Sequence, residues 1–364
     1  MNEDRKPLTY ETAGVDLQAR QQVVGRYREV AKGATRPEVL GGIGPFAGLF
    51  ALGSRFKDPV IVSSTDGVGT KTKIAGLAER YESLGHDIVA NCVNDAFTTG
   101  AEPLFFLDYI GSFELPADAK VAIVKGIADA CTAIDCALLG GETADMPGVY
   151  PPGEFDLVGF IVGAVERERL IDGTTIVAGD LLFGLPSNGL HTNGYSLARR
   201  ALGIAMVDDR AVSDRARLER HDSDLGESLA DALLRPHHCY VPDLKPALSV
   251  LPLSASGERA GGRGLIKGMA HITGGGFEEN VPRILPAGLG ARLDKRAWPM
   301  PPIFPYIQRA GGIEDAEMYR VFNMGLGVVF AVAPEEADAL KAAVPEALLV
   351  GELITTNGER VEWA

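Results

Sequence analysis

The stretch 63–76, SSTDGVGTKTKIAG, restricts this chain more than any other. A short apolar run, Val60-Ile61-Val62, leads into it and reads as a strand. Asp66 follows, then Gly67 and Gly69 with one residue between them, then Thr70-Lys71-Thr72. Glycines let a backbone approach a ligand closely and take positive φ, and successive N–H groups in such a turn can point at a phosphate. Lys71 adds a compact positive charge suited to an anion. Asp66 cannot bind a phosphate directly, so its natural role beside one is to hold Mg²⁺. The word is not a P-loop, which places Lys directly after Gly; here Thr70 intervenes.

Similar words recur downstream: CVNDAFTTGAEP (92–103), GGETADMPG (140–148), SNGLHTNGYSL (187–197) and HITGGGFEENVPR (271–283). Each sets Gly beside acids or amides. The 44 glycines among 364 residues exceed the usual share of roughly 7%, and they cluster in these words. Five such constellations imply an enzyme of nucleotide phosphates and metal.

Other classes are excluded by composition. Lys and Arg number 35 against 49 Asp and Glu, a net charge of −14 with no basic tract. Nucleic-acid affinity is driven by phosphate neutralisation, so no nucleic-acid partner is expected. Cys92, Cys131, Cys136 and Cys239 form no CxxC pair and read as reduced thiols of a cytoplasmic protein. MNEDRKPLTY lacks the apolar core of a signal peptide. No apolar run reaches the ~20 residues of a membrane span.

Length favours two domains. Residues 1–16 read as an extended segment, 17–170 as a first domain and 171–364 as a second. In the first, Asp16 caps a helix over 17–31, GGIGPFAGLF (41–50) is a glycine loop, and helices cover 87–100 and 117–133. Strands cover 60–66, 104–111, 137–139 and 155–165. This alternation implies an α/β (α+β) domain with helices on one face of a mixed sheet. In the second, strands cover 181–185, 322–332 and 347–354, Asn193 caps a helix, and the 207–226 and 252–264 stretches read as exposed insertions. Gly42-x-Gly44-x-x-Ala47 is a poor dinucleotide fingerprint, since Pro45 stands where a helix should open and no strand precedes it.

Asp66, Asp95, Glu142 and Asp145 are the candidate metal-holding acids. Converging carboxylates repel unless a cation sits among them, so Mg²⁺ with nucleotide phosphates fits; the bland alternative is a set of solvated or turn-capping acids. His191, among Asn188, Thr192 and Asn193, can donate to an oxyanion or shuttle a proton, or merely hold its loop. His237-His238-Cys239 has no fourth ligand at usual spacing, which disfavours a metal there.

Taken in order, LTYETAGVD, TDGVGTKTKIA, NDAFTTGAEPLFFLDY, GGETADMPGVY, GLHTNGYSLAR, HITGGGFEENVPR and MYRVFNMGLG resemble the phosphoribosylformylglycinamidine cyclo-ligases, or aminoimidazole ribonucleotide synthetases, from Leu8 to the C-terminus. The resemblance implies ATP-dependent cyclisation of formylglycinamidine ribonucleotide in purine biosynthesis, a ligase reaction. It implies ATP and Mg²⁺ at Asp66, Gly67, Gly69, Thr70 and Lys71, with Asp95, Glu142 and Asp145 joining the metal. Lys71, His191 and Asp95 become the catalytic candidates. His191, Asn193, Gly274, Gly275, Gly276 and Asn280 become the candidates for binding the ribonucleotide. It also implies a homodimer whose N-terminal sheets pair into a β-barrel, and a C-terminal α/β sandwich. Departures from the family pattern include Asp145 for a usual Glu and His237-His238 for a Thr-Arg pair, which puts one phosphate-binding arginine in doubt. Related ATP-using small-molecule kinases, or a nucleotide-sensing dimer without turnover, are the competing readings.

Overall fold

The apolar run around Val60 forms an edge strand, β1 (Pro59–Gly67). A computed structural model of the chain describes residues 17–42, 46–204, 215–250 and 264–364. β1 is joined by β2 (Glu102–Ser112), β3 (Ala137–Asp145) and β4 (Phe155–Glu166) in an open sheet ordered β1-β4-β2-β3. β2 and β3 run parallel and the other pairings are antiparallel, so the sheet is mixed.

Four helices belong to this half: α1 (Leu17–Val30), α2 (Lys71–Ala78), α3 (Glu82–Phe97) and α4 (Ala117–Ala133). Side chains alternate along a strand, and alternate residues of β2 and β4 point at α3 and α4. Phe106, Ile110, Leu157 and Ile161 are fully buried there, with Ile88, Cys92, Ile123 and Ile127 from the helices. Gly85 and Gly126 let the two helices approach closely. A Cβ on Gly126 would stand 2.1 Å from the Glu82 carbonyl oxygen, and one on Gly85 2.2 Å from that of Ile123. The opposite face of the sheet is bare enough to leave Ile61 56% and Phe160 45% exposed.

The second half begins with β5 (Leu181–Pro186), α5 (Tyr195–Leu202) and α6 (Arg215–Glu219). A small ribbon of β6 (His221–Asp222) and β7 (Glu227–Ser228) precedes α7 (Leu229–Leu234) and α8 (Val241–Ser249). Then come β8 (Ile266–His271), α9 (Gly276–Asn280), β9 (Leu289–Leu293), α10 (Ile303–Gly311) and α11 (Asp315–Val321). The chain closes with β10 (Leu326–Val332), α12 (Ala337–Ala343), β11 (Leu348–Thr355) and β12 (Val361–Trp363). The six longer strands form one sheet, β12-β9-β11-β5-β10-β8, antiparallel except for the β12–β9 pair. Every residue of β10 is buried, which is why LGVVFAV reads as an unbroken apolar run.

Several local expectations are corrected. Residues 71–78 are a helix, α2, where a loop was read. GGETAD is the second half of β3 rather than a turn. α5 is capped by Gly194, at φ 76°, and has no side-chain cap, so Asn193 does not cap it. The helix read from Asp87 starts a turn earlier, at Glu82. The 1–16 segment with its Asp16 cap, Pro45, most of the 252–264 stretch and residues 207–214 of the charged insertion lie outside the described residues. Among the described residues, no helix is long and apolar enough to cross a membrane.

Candidate functional site between the two sheets

The motif after β1 turns in three residues. Val68 is buried, Gly69 takes φ +55°, and α2 opens at Lys71. Gly67 stays in the strand, so positive φ is needed at Gly69 alone of the two. Lys71 points inward and is fully buried. Its Nζ lies 2.8 Å from both carboxylate oxygens of Asp87. It also donates to the carbonyl oxygens of His191 at 3.1 Å and Arg235 at 2.8 Å. These contacts use its three donors, so in this arrangement Lys71 does not reach a nucleotide. Asp87 Oδ1 further accepts the His237 N–H at 2.7 Å. Burial pushes the Asp87 carboxyl up to about 6, with Lys71 pulling it down, while burial lowers Lys71 and Asp87 opposes that.

Asp66 is exposed, and its Oδ1 accepts the N–H of Gly67 at 2.7 Å. Thr70 Oγ1 stands 3.4 Å from Ser196 Oγ, across to the second half. Asp95, on α3, meets His271 Nδ1 at 2.7 Å. Asp66 and Asp95 flank one thiol: burial, then the charge of Asp66 and that of Asp95, raises Cys92. Glu142 and Asp145 lie on β3. Asp145 Oδ1 accepts from Lys120 Nζ at 2.5 Å and from Ser112 Oγ at 3.3 Å. Among the described residues, the groups of three or more side chains spaced for a metal ion include none of Asp66, Asp95, Glu142 and Asp145. One chain therefore holds these acids in separate places.

Asp108, on β2, was not singled out from the sequence. Burial, with Glu142 adding its charge, raises its carboxyl to about 7. The signal was one acid inside the apolar strand LFFLDYIG. Asp108 and Glu142 line a cavity of about 1030 Å³ between α1, residues 46–50, β2 and β3, together with Tyr27, Phe46, Phe50 and Phe105. A second cavity, about 390 Å³, lies between the halves and is lined by Asp95, Thr98, Thr99, His271, Asn280 and Arg283.

The glycine word before α9 sits at this second cavity. Gly276 takes φ +55°, and a Cβ there would fall 1.9 Å from the Tyr319 carbonyl oxygen. Asn280 Nδ2 donates to the Gly276 carbonyl at 2.7 Å and reaches those of Thr273 and Gly274 at 3.3 Å. The amide braces the loop from inside, while Arg283 is exposed at the rim. Asn193 meets this loop, since a Cβ on Gly274 would be 3.2 Å from Asn193 Oδ1. His191 sits deeper, 2% exposed, at φ 63°. Its ring stacks on His237 with centroids 3.9 Å apart, and neither ring nitrogen has a hydrogen-bond partner. Burial holds His191 well below the usual imidazole range.

Residues 48–165 match the family described as AIR synthase related protein, N-terminal domain, and residues 177–364 match its C-terminal domain. The chain is 47% identical over 355 residues to the phosphoribosylformylglycinamidine cyclo-ligase of Burkholderia multivorans, covering 98% of this chain and 93% of that protein. The chain belongs to the phosphoribosylformylglycinamidine cyclo-ligase family. Identity to the Geobacillus thermodenitrificans member of the family is 49% over 354 residues, 96% of each chain. In fold, the cyclo-ligase chain resembles the E. coli HypE crystal structure, with a TM-score of 0.63, 17% identity and coverage of 95% and 93%. It also resembles thiamine-monophosphate kinase from Stenotrophomonas maltophilia, with a TM-score of 0.53, 17% identity and coverage of 94% and 95%.

The raised Asp108 makes stability depend on pH. Its folded value of about 7 lies above the ordinary 3.8, so the folded chain keeps this proton after the unfolded chain has lost it. Stability from this group therefore falls as pH rises from 4 to 7. Asp108→Asn removes the effect. Thermal unfolding should show the variant more stable than wild type at pH 8, by several degrees, with the gap closing toward pH 4. A gap of the same size at both pH values contradicts this.

Proposed function

We propose that this chain closes the imidazole ring of formylglycinamidine ribonucleotide, consuming ATP and releasing 5-aminoimidazole ribonucleotide, ADP and phosphate. The observation that carries this reading is 47–49% identity, over nearly the whole chain, to cyclo-ligases. The same reading places the chain in purine biosynthesis, as a ligase.

The chemistry needs one activated oxygen. An amide oxygen is a poor leaving group, so the γ-phosphoryl group of ATP is transferred to the formyl-amide oxygen and ADP departs. The amidine nitrogen then attacks that carbon. The C–N bond forms as the C–O bond breaks, and the oxygen leaves with phosphate. Because both ends belong to one substrate, holding them in line supplies much of the acceleration, with effective molarities of about 10⁵–10⁸ M possible.

ATP is assigned to the turn of Asp66, Gly67, Gly69 and Thr70 after β1, where glycine backbone lets phosphate approach closely. The complex of ATP with HypE, a protein of similar fold with a TM-score of 0.60, supports a nucleotide role for this architecture. Asp66 and Asp95, the two acids beside Cys92, are assigned the oxygen ligands Mg²⁺ takes, while Glu142 lies on β3, at the other edge of the sheet, beside the raised Asp108. When bound, Mg²⁺ neutralises phosphate charge. Asp145 serves through its pair with Lys120. The ribonucleotide is assigned to the smaller cavity, with His271 and Asn280 at its wall and Arg283 at its phosphate, and with Asn193 and Gly274–Gly276 on the adjoining loops. Asn280 braces that wall. Lys71 and His191 position the surrounding loops from inside.

The bare sheet face, with Ile61 and Phe160 exposed on β1 and β4, supports pairing of two chains through their N-terminal sheets. Such pairing also covers the β1 edge. Sedimentation should give the mass of two chains, and Ile61→Asp should give one; a wild-type monomer at micromolar concentration contradicts the dimer.

The activity is tested by following ADP and aminoimidazole ribonucleotide in one tube. Both should appear in equal amounts and only with substrate present, and Asp66→Asn should lower kcat about 100-fold or more. ATP hydrolysis without imidazole formation contradicts the proposal.

A further inference from the structure

Three imidazoles converge where the two halves meet. His191 comes from the loop after β5, His237 from the loop after α7, and His271 from the end of β8. They are 2%, 4% and 5% exposed. One ring nitrogen from each lies within 4.8 Å of the others.

Their hydrogen bonds leave a surplus of lone pairs. His271 Nδ1 faces Asp95 Oδ1 at 2.7 Å; a carboxylate only accepts, so that nitrogen carries the hydrogen, and Nε2 of the neutral ring is a lone pair. This Nε2 is 3.2 Å from His237 Nε2. The Asn94 amide fixes what His237 offers there. Its Oδ1 accepts the Tyr240 N–H at 2.9 Å, and its Nδ2 donates to the His238 carbonyl at 2.9 Å. The same Nδ2 is 3.3 Å from His237 Nε2. That donor at 3.3 Å, with Thr192 Oγ1 3.4 Å from Nδ1, leaves the His237 hydrogen on Nδ1. The one Nε2 lone pair of His237 is engaged by the Asn94 amide while the His271 lone pair stands 3.2 Å away, and a metal there takes the place of the Asn94 contact. His191 adds a third ring with both nitrogens buried and unpartnered. A proton shared between His237 and His271 would satisfy that pair and leave His191 orphaned. A metal cation satisfies all three.

We propose that His191, His237 and His271 bind one first-row transition-metal cation of the zinc type at the joint between the halves. Two nitrogens at 2.0–2.1 Å from one tetrahedral zinc stand about 3.3 Å apart, close to the 3.2 Å between His237 and His271. His191, whose ring stacks on His237 with the planes 18° apart, must swing out of that stack to turn a lone pair to the same ion. Asp95 behind His271 fixes the ring's orientation and tautomer, as carboxylates behind zinc-bound imidazoles do. Nitrogen donors select this cation over Mg²⁺, which takes oxygen, so the imidazole cluster differs in ligand type from the site assigned to ATP, and Asp95 stands between the two. Three protein ligands leave one position for water. The proposal does not depend on the cyclo-ligase reading.

Zinc retention decides it. The full-length chain, stripped with chelator and titrated with zinc, should retain one ion per chain after gel filtration, undiminished by excess Mg²⁺. Co²⁺ in its place should give the strong visible absorption of a tetrahedral site. His237→Asn should weaken retention about 100-fold or more, and His238→Asn, whose ring pairs with Asp243 instead, should leave it unchanged. Circular dichroism of the stripped proteins checks that the variants fold; should His237→Asn not fold, the cobalt spectrum of the wild-type chain carries the test. Substoichiometric zinc on the wild type, displacement by Mg²⁺, the spectrum of an octahedral cobalt ion, or full retention in folded His237→Asn overturns the proposal.

Discussion

A buried ion pair of the first half, Lys71 with Asp87, anchors the second half through its remaining hydrogen bonds. Lys71 and Asp87 are both fully buried, and every partner they have beyond each other lies on the second half: the carbonyls of His191 and Arg235 and the N–H of His237. Taking two charges out of water costs several kcal/mol per ion, and their attraction repays this only when the remaining hydrogen bonds are made. Here the two carbonyls complete the Lys71 ammonium and the His237 N–H serves Asp87 Oδ1, while Asp87 Oδ2 has the ammonium at 2.8 Å and no hydrogen-bond partner. The pair contributes register more than net stability. It fixes the 187–194 and 235–238 loops against α2 and α3, and the imidazoles and the smaller cavity depend on that placement.

The chemistry follows from how the two sheets divide the labour. The four-stranded sheet and α3 carry the acids: Asp66 and Asp95 around Cys92, and Asp108 beside Glu142. The six-stranded sheet carries the amide-rich and glycine-rich loops, with Asn193 against Gly274 and Asn280 bracing from inside. Under the proposed reaction, a nucleotide region carrying acids stands next to a site that holds a flexible ribonucleotide bent on itself. Building the two regions on different halves lets each be rigid while their joint sets the distance between them.

Much of the scaffold is legible in the residues. Alternating apolar strands and amphipathic helices give the mixed sheet with helices on one face, and LGVVFAV announces a strand buried on both sides. The family words locate the site loops. What local reading misses is long-range. Lys71 after a glycine turn looks ready for phosphate, and Asp87 looks like the start of a helix. The charge of each is spent on the other, on chain segments more than a hundred residues away. GGETAD looks like a loop because its glycines suit turns, yet parallel pairing with β2 draws it into a strand. His237 and His271 carry no spacing that suggests a shared site, and only the folding of the second half, which sets the loop after α7 beside the end of β8, brings their rings within 3.2 Å.

A double-mutant cycle on Lys71 and Asp87, read by urea unfolding, tests the central claim most directly. Lys71→Met alone leaves a buried carboxylate uncompensated and should cost about 3–5 kcal/mol. Asp87→Leu should cost a similar amount, since it strands the ammonium. The double variant should lose much less than the sum of the two, the remaining loss reflecting the His237 N–H and the two carbonyls. Strict additivity, or a Lys71→Met chain as stable as wild type, would contradict the account.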